Sequence, residues 1–441
     1  MTEPAWRGRV GAGLVAAVLA GSAFLFQETV PDRVRAIMGV VCFISLTVAC
    51  SSNFGAINWR TVGWGLVLQI TLAVFILKFA VAGMRPGYAV FSMLAAVVTQ
   101  FLEFTSAGSS FVFGVLADQE VMGNVFPNGL VLAFGTLPVI IFVSSVFTVL
   151  YYVGVLQMAV RLMARAMMPL MGTSGAETLS ATANVFMGQT EAPIIVKPYI
   201  ARMTQSELLS LMTGGLATIA GSVFAVYVSL GGDPVAMLTT SVMAAPCGLY
   251  LSKILIPETE RPVTAGRVSV DVGHEHVNMI DAAAGGAADG MRLAINVAAM
   301  LIAFLAFVAM IDYLLGLVSP GLSLATIFAV GFSPVAALIG IPSVDVPIVA
   351  DLLGTKLVTN EFVAYVKLDN EYAGVISDRA HTLATYALTG FANFGSIGVL
   401  LGGIGGMAPE RRTDLARLSS RALLAGFCAT LINASIAAVL I

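Results

Sequence analysis

The feature that most constrains this chain is a series of apolar runs, most of them about as long as the ~20 residues that a helix needs to cross a bilayer. Of its 441 residues, 58% are hydrophobic and 11% are charged, whereas about a quarter of a typical soluble domain is charged. The mean hydropathy is +0.93. We therefore predict an all-α polytopic membrane protein with one integral domain that contacts the lipid bilayer. The runs lie at roughly 10–27, 34–50, 61–83, 128–157, 207–230, 235–255, 291–318, 324–341, 373–403 and 422–441.

Charge and cysteine content argue against several other classes. The net charge of −3 is spread thinly along the chain, whereas a nucleic-acid partner would require a basic face. The 4 cysteines lie within or at the ends of apolar runs without paired spacing, which indicates neither a disulfide framework nor a metal site. The first run follows Arg7 and Arg9 and could pass for a signal peptide. We interpret it as a transmembrane helix, because so many spans follow it.

Three short motifs are better explained by packing or loops. Residues 11–16, GAGLVA, match a dinucleotide-binding pattern, but no strand precedes them and a membrane run follows, which favours close helix packing. Residues 273–276, GHEH, resemble a metal-ligand cluster. They lie in the one long polar stretch, 256–290, so we interpret them as loop residues. Residues 402–406, GGIGG, lack the Lys-Ser/Thr of a phosphate loop and suggest a flexible helix end.

Glu191 is the first polar residue that packing does not explain. It lies in GQTEAP, where Gly188 and Pro193 interrupt two half-length apolar pieces. Such a pattern predicts a re-entrant hairpin, because irregular backbone at membrane depth is tolerated only where it is buried or lines a cavity. Ionisable residues at that depth tend to mark substrate or ion pathways. The alternative is that Glu191 caps an interfacial turn.

A second segment repeats this design. In residues 352–366, LLGTKLVTNEFVAYV, Asn360 and Glu361 again lie at a turn between half-length apolar pieces. Each hairpin tip is followed by a span interrupted with Gly and polar residues. Thr218 follows Glu191 by 218 − 191 = 27 positions, and Asn393 follows Glu361 by 393 − 361 = 32 positions. Paired interrupted segments in two halves of a chain indicate a transporter with a binding site at the midplane of the bilayer.

These segments carry a family resemblance. GQTEAP at 188–193, GTKLVTNEFVAY at 354–365 and FANFGSIG at 391–398 resemble, in order and separation, the signature segments of the concentrative nucleoside transporter family, in its bacterial, sodium-coupled type. The similarity covers roughly residues 90–441. It includes TQFLEFTSAGSSFVFG at 99–114, which is similar to the family's amphipathic interfacial helix.

The resemblance implies a fold and a division of the chain. The expected fold has about eight transmembrane helices plus two re-entrant helical hairpins in two repeat-related halves, with an interfacial helix. Residues 1–90 would form N-terminal peripheral or scaffold spans, and 91–441 the transporter core. Within the core, the expected elements are the interfacial helix at about 90–118, hairpin 1 at 176–200, hairpin 2 at 324–365, and broken helices at 207–230 and 373–403.

The resemblance also implies a substrate site. Gln189, Thr190 and Glu191 would contact the nucleobase, and Phe391 would pack near it. The ribose hydroxyls would be held by Glu361, Asn393 and Ser396. The residue types suit this chemistry, because vicinal hydroxyls donate well to a carboxylate, and an amide beside a hydroxyl and a carboxylate suits the mixed edge of a base.

Sodium is the coupling ion that the resemblance implies. The family's site consists mainly of backbone carbonyls plus one hydroxyl, and here those positions are Asn184, Met187, Thr218 and Ile219. Proton-coupled relatives tend to depart from GQTEAP just after the Glu, and this chain does not. Gly395 stands where many relatives carry Ser, which leaves the preference between purine and pyrimidine open.

The function implied is secondary active import of nucleosides such as uridine, by sodium–nucleoside symport with alternating access, across the cytoplasmic (inner) membrane. No enzymatic activity and no cofactor beyond the coupling Na⁺ are expected, and the family assembles as a homotrimer. The alternatives are a proton-coupled nucleoside symporter and a nucleobase transporter. Since both hairpins and both broken helices contribute to one site, we expect 176–230 and 324–403 to move together against a scaffold that contains 291–318, while 10–50 does not move.

Overall fold

The computed structural model describes residues 3–118, 121–122, 132–266 and 276–441. Regular structure in these ranges is helical, and they contain no β-strand. The α-helices are α1 Glu3–Leu25, α2 Asp32–Ala49, α3 Trp59–Leu77, α4 Pro86–Phe113, α5 Leu132–Gly135, α6 Leu137–Val153, α7 Val155–Met171, α8 Gly175–Ala183, α9 Lys197–Ile200, α10 Gln205–Ala217, α11 Gly221–Ser229, α12 Pro234–Leu255, α13 Met279–Val318, α14 Leu324–Ile339, α15 Val346–Val358, α16 Glu361–Asn370, α17 Asp378–Leu388, α18 Phe394–Met407 and α19 Arg412–Leu440.

Helices of membrane-spanning length confirm the all-α, multi-pass prediction. Within the described residues, 8 helices are long and apolar enough to cross a membrane. The segment expected to be interfacial, 99–114, forms the end of α4 and the Gly114 that follows it. The start of the predicted 128–157 run and residues 273–275 of the GHEH motif lie outside the described residues. The spanning candidates are Trp6–Leu25, Trp59–Leu77, Pro86–Ala117, Ala133–Val153, Gln205–Ser229, Pro234–Leu255, Met279–Val318 and Pro409–Leu440.

One helix was not anticipated from the sequence. Helix α6 is followed by Gly154, whose φ of +92° lies in the left-handed region that glycine adopts without strain. The chain then turns into α7, which buries one face while Arg161 and Arg165 on the other face are exposed. An amphipathic helix of this kind suits a membrane surface rather than a span.

Hairpin 1, residues 175–200, begins at a well-capped helix. Ser174 and Glu177 form a capping box at the start of α8, and Thr204 and Glu207 form a second one at the start of α10. The two boxes are joined, because Ser174 Oγ donates to Glu207 Oε1 over 2.5 Å. Lys253 of α12 pairs with Glu177 at 2.7 Å. These contacts fix the entrance of hairpin 1 against the first broken helix.

Hairpin 2, residues 324–370, contains three helices. Helix α14 packs along α15, and the chain then turns at Thr359 and Asn360 into α16. The Asn360 side chain accepts a hydrogen bond from the backbone N–H of Val363 over 2.9 Å and so caps α16. The carboxylate of Glu361, the first residue of α16, is therefore held at the hairpin tip.

The two broken helices cross at their interruptions. The first comprises α10 and α11, separated at residues 218–220, and the second comprises α17 and α18, separated at residues 389–393. The backbone N–H of Phe391 donates to the carbonyl of Thr218 over 3.1 Å. Gly390 has a φ of +147°, and a Cβ there would lie 2.7 Å from Thr430 Cγ2 and 3.1 Å from the carbonyl oxygen of Ala217. Only glycine allows this approach.

Helix α2 packs directly against hairpin 2. Arg35 is 0% exposed, and its guanidinium donates to the carbonyls of Ala337 and Ile341 at 3.0 and 2.8 Å. At Gly39, an added Cβ would lie 2.1 Å from the carbonyl oxygen of Leu338. Arg35 therefore hydrogen-bonds to hairpin 2, and at Gly39 the backbones of α2 and α14 approach too closely to leave room for a side chain. Together these two contacts hold α2 against α14.

A buried hydrogen-bond network joins three further helices. Gln69 of α3 donates to Asn433 of α19 over 2.6 Å and accepts from Tyr250 of α12 over 2.9 Å. Asn433 in turn donates to Thr240 Oγ1 over 2.9 Å. Each amide therefore has partners from another helix, as a buried polar group in an apolar bundle requires.

We expect Gly39→Ala to destabilise the protein. The added methyl would overlap the carbonyl of Leu338, and overpacking of this kind typically costs about 1–3 kcal/mol. The matched control is Gly63→Ala on α3, where an added Cβ meets nothing within 4 Å. Thermal unfolding in detergent should give a clearly lower Tm for the first variant only. Equal Tm values for both variants would show that α2 and α14 do not pack as described.

Candidate functional site

The centre of the candidate site is the carboxylate of Glu361, which is 5% exposed. Its Oε1 accepts from the hydroxyl of Tyr227 on α11 over 2.8 Å. Its Oε2 accepts from Nδ2 of Asn393, where the second broken helix resumes, also over 2.8 Å. Hairpin 2 and both broken helices therefore meet at one carboxylate. Its remaining lone pairs can accept from further donors, such as the hydroxyls of a small molecule.

Asn393 is oriented by its position at the start of a helix. Its Oδ1 accepts from the backbone N–H of Ser396 over 2.8 Å, which caps α18. This bond leaves Nδ2 free to reach Glu361. Ser396 is buried one turn into α18, and Phe391 is half-buried against the core. The structure thus brings Glu361, Asn393 and Ser396 together.

The tip of hairpin 1 forms a second group of polar residues. Glu191 Oε2 accepts from the backbone N–H of Gly188 over 3.1 Å. This contact within the turn is of the kind expected if Glu191 caps a turn, the alternative given in the sequence analysis. Glu191 as a residue is exposed. Gln189 is 8% exposed, and its Oε1 has no partner among the described residues. Thr190 lies against α18, since a Cβ on Gly403 would be 2.7 Å from Thr190 Cγ2.

A cavity of about 750 Å³ adjoins this second group. It lies between hairpin 1, α6, α7 and α13, and Thr190 and Glu191 line it. Glu361, Asn393 and Gln189 do not. A largely apolar concavity with a few polar groups is the usual form of a small-molecule site. Its other polar linings are Ser144, Thr148, Tyr151, Tyr152, Gln157, Ser222, His276, Asp289, Arg292 and Asn296.

The residues predicted to hold sodium lie where hairpin 1 meets the first break. The N–H of Gly221 donates to the carbonyl of Phe186 over 3.1 Å, which places the end of α8 beside the start of α11. Within the described ranges, no backbone N–H donates to the carbonyls of Asn184, Met187 or Ile219. The carbonyl of Thr218 accepts from Phe391.

Two side-chain oxygens add to this set. Thr218 Oγ1 donates to the carbonyl of Gly214 over 3.0 Å, and its lone pairs remain available. Asn184 Oδ1 is buried without a partner in the described part of the chain. Uncharged oxygen atoms of this kind suit a hard cation. No group of three or more His, Cys, Asp or Glu residues that could hold a metal ion occurs among the described residues.

Sequence reasoning missed two residues near the site. Tyr227 donates to Glu361 and stacks on Tyr365 with ring centroids 4.8 Å apart. Lys356 of α15 is 0% exposed, and its ammonium donates to the carbonyl of Ala387 over 2.7 Å. Both could have been identified as candidates from the sequence, because an ionisable or hydroxyl-bearing side chain at membrane depth usually has a hydrogen-bond partner. The sequence did not indicate which partners these would be.

Three family models match consecutive parts of the chain. Residues 38–116 match the Na⁺ dependent nucleoside transporter N-terminus, residues 133–234 match a nucleoside recognition model, and residues 236–438 match the Na⁺ dependent nucleoside transporter C-terminus. Together they extend over most of the chain.

Relatives are found in mammals and bacteria. The chain is 42% identical over 430 residues to mouse sodium/nucleoside cotransporter 1, which covers 93% of this chain and 64% of the mouse protein. It therefore spans just under two thirds of that relative's length. An uncharacterized transporter of Haemophilus influenzae is 41% identical over 415 residues, covering 92% of this chain and 97% of the relative.

Solved structures of CNTnw share the fold and the family. CNTnw in an inward-facing substrate-bound state matches with a TM-score of 0.86 and 39% identity, covering 93% of this chain and 98% of CNTnw. A double variant of CNTnw in an outward-facing state matches with a TM-score of 0.85 and 39% identity, covering 92% and 97% of the two chains. With relatives of this identity aligned along nearly their whole length, the chain belongs to the Na⁺ dependent nucleoside transporter family.

Proposed function

We propose that the chain imports nucleosides across the cytoplasmic membrane by sodium–nucleoside symport. The observation that carries this proposal is the buried carboxylate of Glu361, which receives hydrogen bonds from both broken helices at their crossing. Secondary transporters bind substrates and ions at such half-helix ends near the bilayer midplane. The names of the mammalian relatives and the substrate-bound state of CNTnw support the same function. Transport of this kind breaks no covalent bond and requires no catalytic residue.

Glu361, Asn393 and Ser396 are proposed to hold the ribose. A carboxylate with two neutral donors already in place can still accept from vicinal hydroxyls, and hydrogen bonds to a charged acceptor are stronger than neutral ones. Asn393 and Ser396 are buried beside it, so water does not compete freely. A free nucleobase has no ribose and would leave this group unused.

Gln189, Thr190, Glu191 and Phe391 are proposed to bind the base. Gln189 Oε1 is buried and unpartnered within the described residues, so a base edge that donates to it would satisfy it. Glu191 and Thr190 line the adjoining cavity. Phe391 is half-buried at the second break and offers a flat apolar face to a ring.

Sodium is proposed as the coupling ion, held by the carbonyls of Asn184, Met187 and Ile219 and by Thr218 at the first break. The unused carbonyls described above support this assignment. The first alternative is a proton-coupled nucleoside symporter, in which Glu191 would bind and release the coupled proton. A nucleobase transporter is the other alternative, and competition by uracil as effective as that by thymidine would favour it. A homotrimer is expected from the family resemblance.

Alternating access is proposed to move both hairpins and both broken helices against α6 and α13. The contacts of α2 support a different division from the one expected from the sequence, in which residues 10–50 do not move. Arg35 and Gly39 lock α2 to α14 of hairpin 2, so α2 is proposed to travel with that hairpin. In this proposal, α2 is an exception to the expectation that residues 1–90 form peripheral or scaffold spans.

We expect Glu361→Gln to weaken nucleoside binding by about 1.5–3 kcal/mol, the value of a hydrogen bond to a charged group. The new amide would turn an N–H donor toward either Tyr227 or Asn393, both of which donate to Glu361. Uridine binding to purified protein measures this loss. Glu371→Gln, at the exposed residue that directly follows α16, is the control and should bind normally. If 2′,3′-dideoxyuridine bound the wild type as tightly as uridine does, the ribose assignment would be wrong.

Thr218→Ala should raise the sodium concentration that gives half-maximal uridine uptake, because it removes the one side-chain hydroxyl assigned to the ion. Thr182→Ala is the matched control, since the Thr182 hydroxyl also donates to a carbonyl four residues earlier within a buried helix. Uptake into proteoliposomes at varied sodium concentration is the measurement. Unchanged sodium dependence in Thr218→Ala, or equal uptake driven by a proton gradient alone, would count against sodium at this position.

The proposed motion can be followed with cysteines at helix ends, in a Cys50→Ser background. Glu28→Cys precedes α2, Val344→Cys lies between α14 and α15, and Ser319→Cys follows α13; all three positions are exposed. Adding uridine and sodium should change the labelling rate by an impermeant thiol reagent at the first two positions and leave Ser319→Cys unchanged. A change at Ser319 with none at Glu28 would reverse the assignment of fixed and moving parts.

A further inference from the structure

The two breaks share one local design. Thr218 and Thr389 each end a half-helix in extended backbone. Each hydroxyl donates to the carbonyl four residues earlier, from Thr218 to Gly214 over 3.0 Å and from Thr389 to Thr385 over 2.7 Å. The last carbonyls of a helix lack intrahelical partners and carry a partial negative charge. Each break therefore presents a place that favours a cation.

The two breaks differ in what meets these carbonyls. At the first break, no N–H group in the described ranges donates to the carbonyl of Leu216, the residue before the last of α10. At the second break, the corresponding residue of α17 is Ala387, and its carbonyl accepts from Lys356 Nζ over 2.7 Å. A cation of the chain itself thus occupies the second break.

The surroundings of Lys356 resemble those of a bound ion more than those of a salt bridge. Its ammonium also donates to Thr430 Oγ1 over 3.1 Å and lies 5.6 Å from the ring centroid of Phe427. No carboxylate in the described residues lies within ion-pair distance of it. Burying an ammonium without a counter-ion in contact is costly, so its retention requires a compensating interaction.

Glu361 supplies part of that compensation. It lies five positions after Lys356 in the same hairpin and is buried as Lys356 is, so opposite charges on the two groups would attract each other strongly in surroundings of low dielectric constant. A cation near Glu361 stabilises the ionised carboxylate that the ribose assignment needs. Lys356 thus links the second break to the substrate group, as the coupling ion is proposed to link the first break to hairpin 1.

We propose that the ammonium of Lys356 is a tethered cation that serves the second break in place of a second coupling ion, so that only the first break takes up sodium. This inference rests on the proposed function and deepens it. Lys356 is a positioning residue: it holds the end of α17 and the charge of Glu361 and does not contact the substrate.

The test compares two variants of the purified full chain. Lys356→Met keeps most of the side-chain length and loses the charge, whereas Lys356→Ala leaves room for a small cation. Both should bind uridine about tenfold more weakly or worse, because Glu361 loses the nearby positive charge that favours its ionised form, and one pKa unit corresponds to a tenfold change. Methylammonium should restore most of the binding to Lys356→Ala and none to Lys356→Met, where the longer side chain fills the space.

A second measurement does not depend on nucleoside. Methylammonium should raise the Tm of Lys356→Ala, because a ligand of the folded state stabilises it, and should leave wild type and Lys356→Met unchanged. The matched control is Lys367→Ala on the same hairpin, whose ammonium pairs with Asp351, and it should show no methylammonium effect on Tm or on uridine binding.

The outcomes separate this inference from the proposed function. If methylammonium neither restores binding nor raises the Tm of Lys356→Ala, or if Lys356→Met binds uridine as wild type does, the tethered cation is wrong. A wild type that binds no uridine in sodium would instead overturn the proposed function, and the Tm comparison would still decide the role of Lys356. If Lys356→Ala cannot be purified, Lys356→Met decides: a tenfold loss of uridine binding at unchanged Tm supports the proposal.

Discussion

The rest of the structure depends on two interrupted helices that cross inside an apolar bundle. Backbone that leaves the helix at membrane depth must have every polar group buried and satisfied, or must line a cavity. The chain meets this requirement through direct contact of the breaks, where Phe391 donates to the carbonyl of Thr218. Gly390 makes the contact possible, because any side chain there would collide with Thr430. Near the crossing, some carbonyls accept no backbone hydrogen bond from the described residues, and we assign the cations to these groups.

The crossing also explains why a carboxylate is retained in so apolar a chain. Glu361 is buried and hydrogen-bonded to both broken helices, so the desolvation of its carboxylate is offset by donors that the breaks bring within reach. A substrate that binds it would contact hairpin 2 and both broken helices together. In our account, movement of these elements as a unit follows from that shared contact, and α2 joins them through Arg35.

Much of this arrangement could be predicted from the sequence, because its signals are local. Gly188 and Pro193 mark one hairpin tip, Asn360 and Glu361 mark the other, and the spacing to Thr218 and Asn393 indicates a repeat. The contacts that complete the site are not local. Tyr227 reaches Glu361 across 134 positions of sequence, and Lys356 reaches Thr430 across 74. No local sequence pattern around either residue predicts its partner. Helix α7 was missed because its start depends on a left-handed conformation at Gly154, which a continuous apolar run conceals.

The central claim is that sodium and nucleoside move together through this crossing. Accumulation of radiolabelled uridine in proteoliposomes that contain the purified chain, with sodium, potassium or proton gradients of equal size, tests it most directly. The account predicts uphill uridine accumulation with an inward sodium gradient, none with potassium, and no more than equilibration with protons. Accumulation driven as well by protons as by sodium, or equal accumulation of uracil, would contradict it.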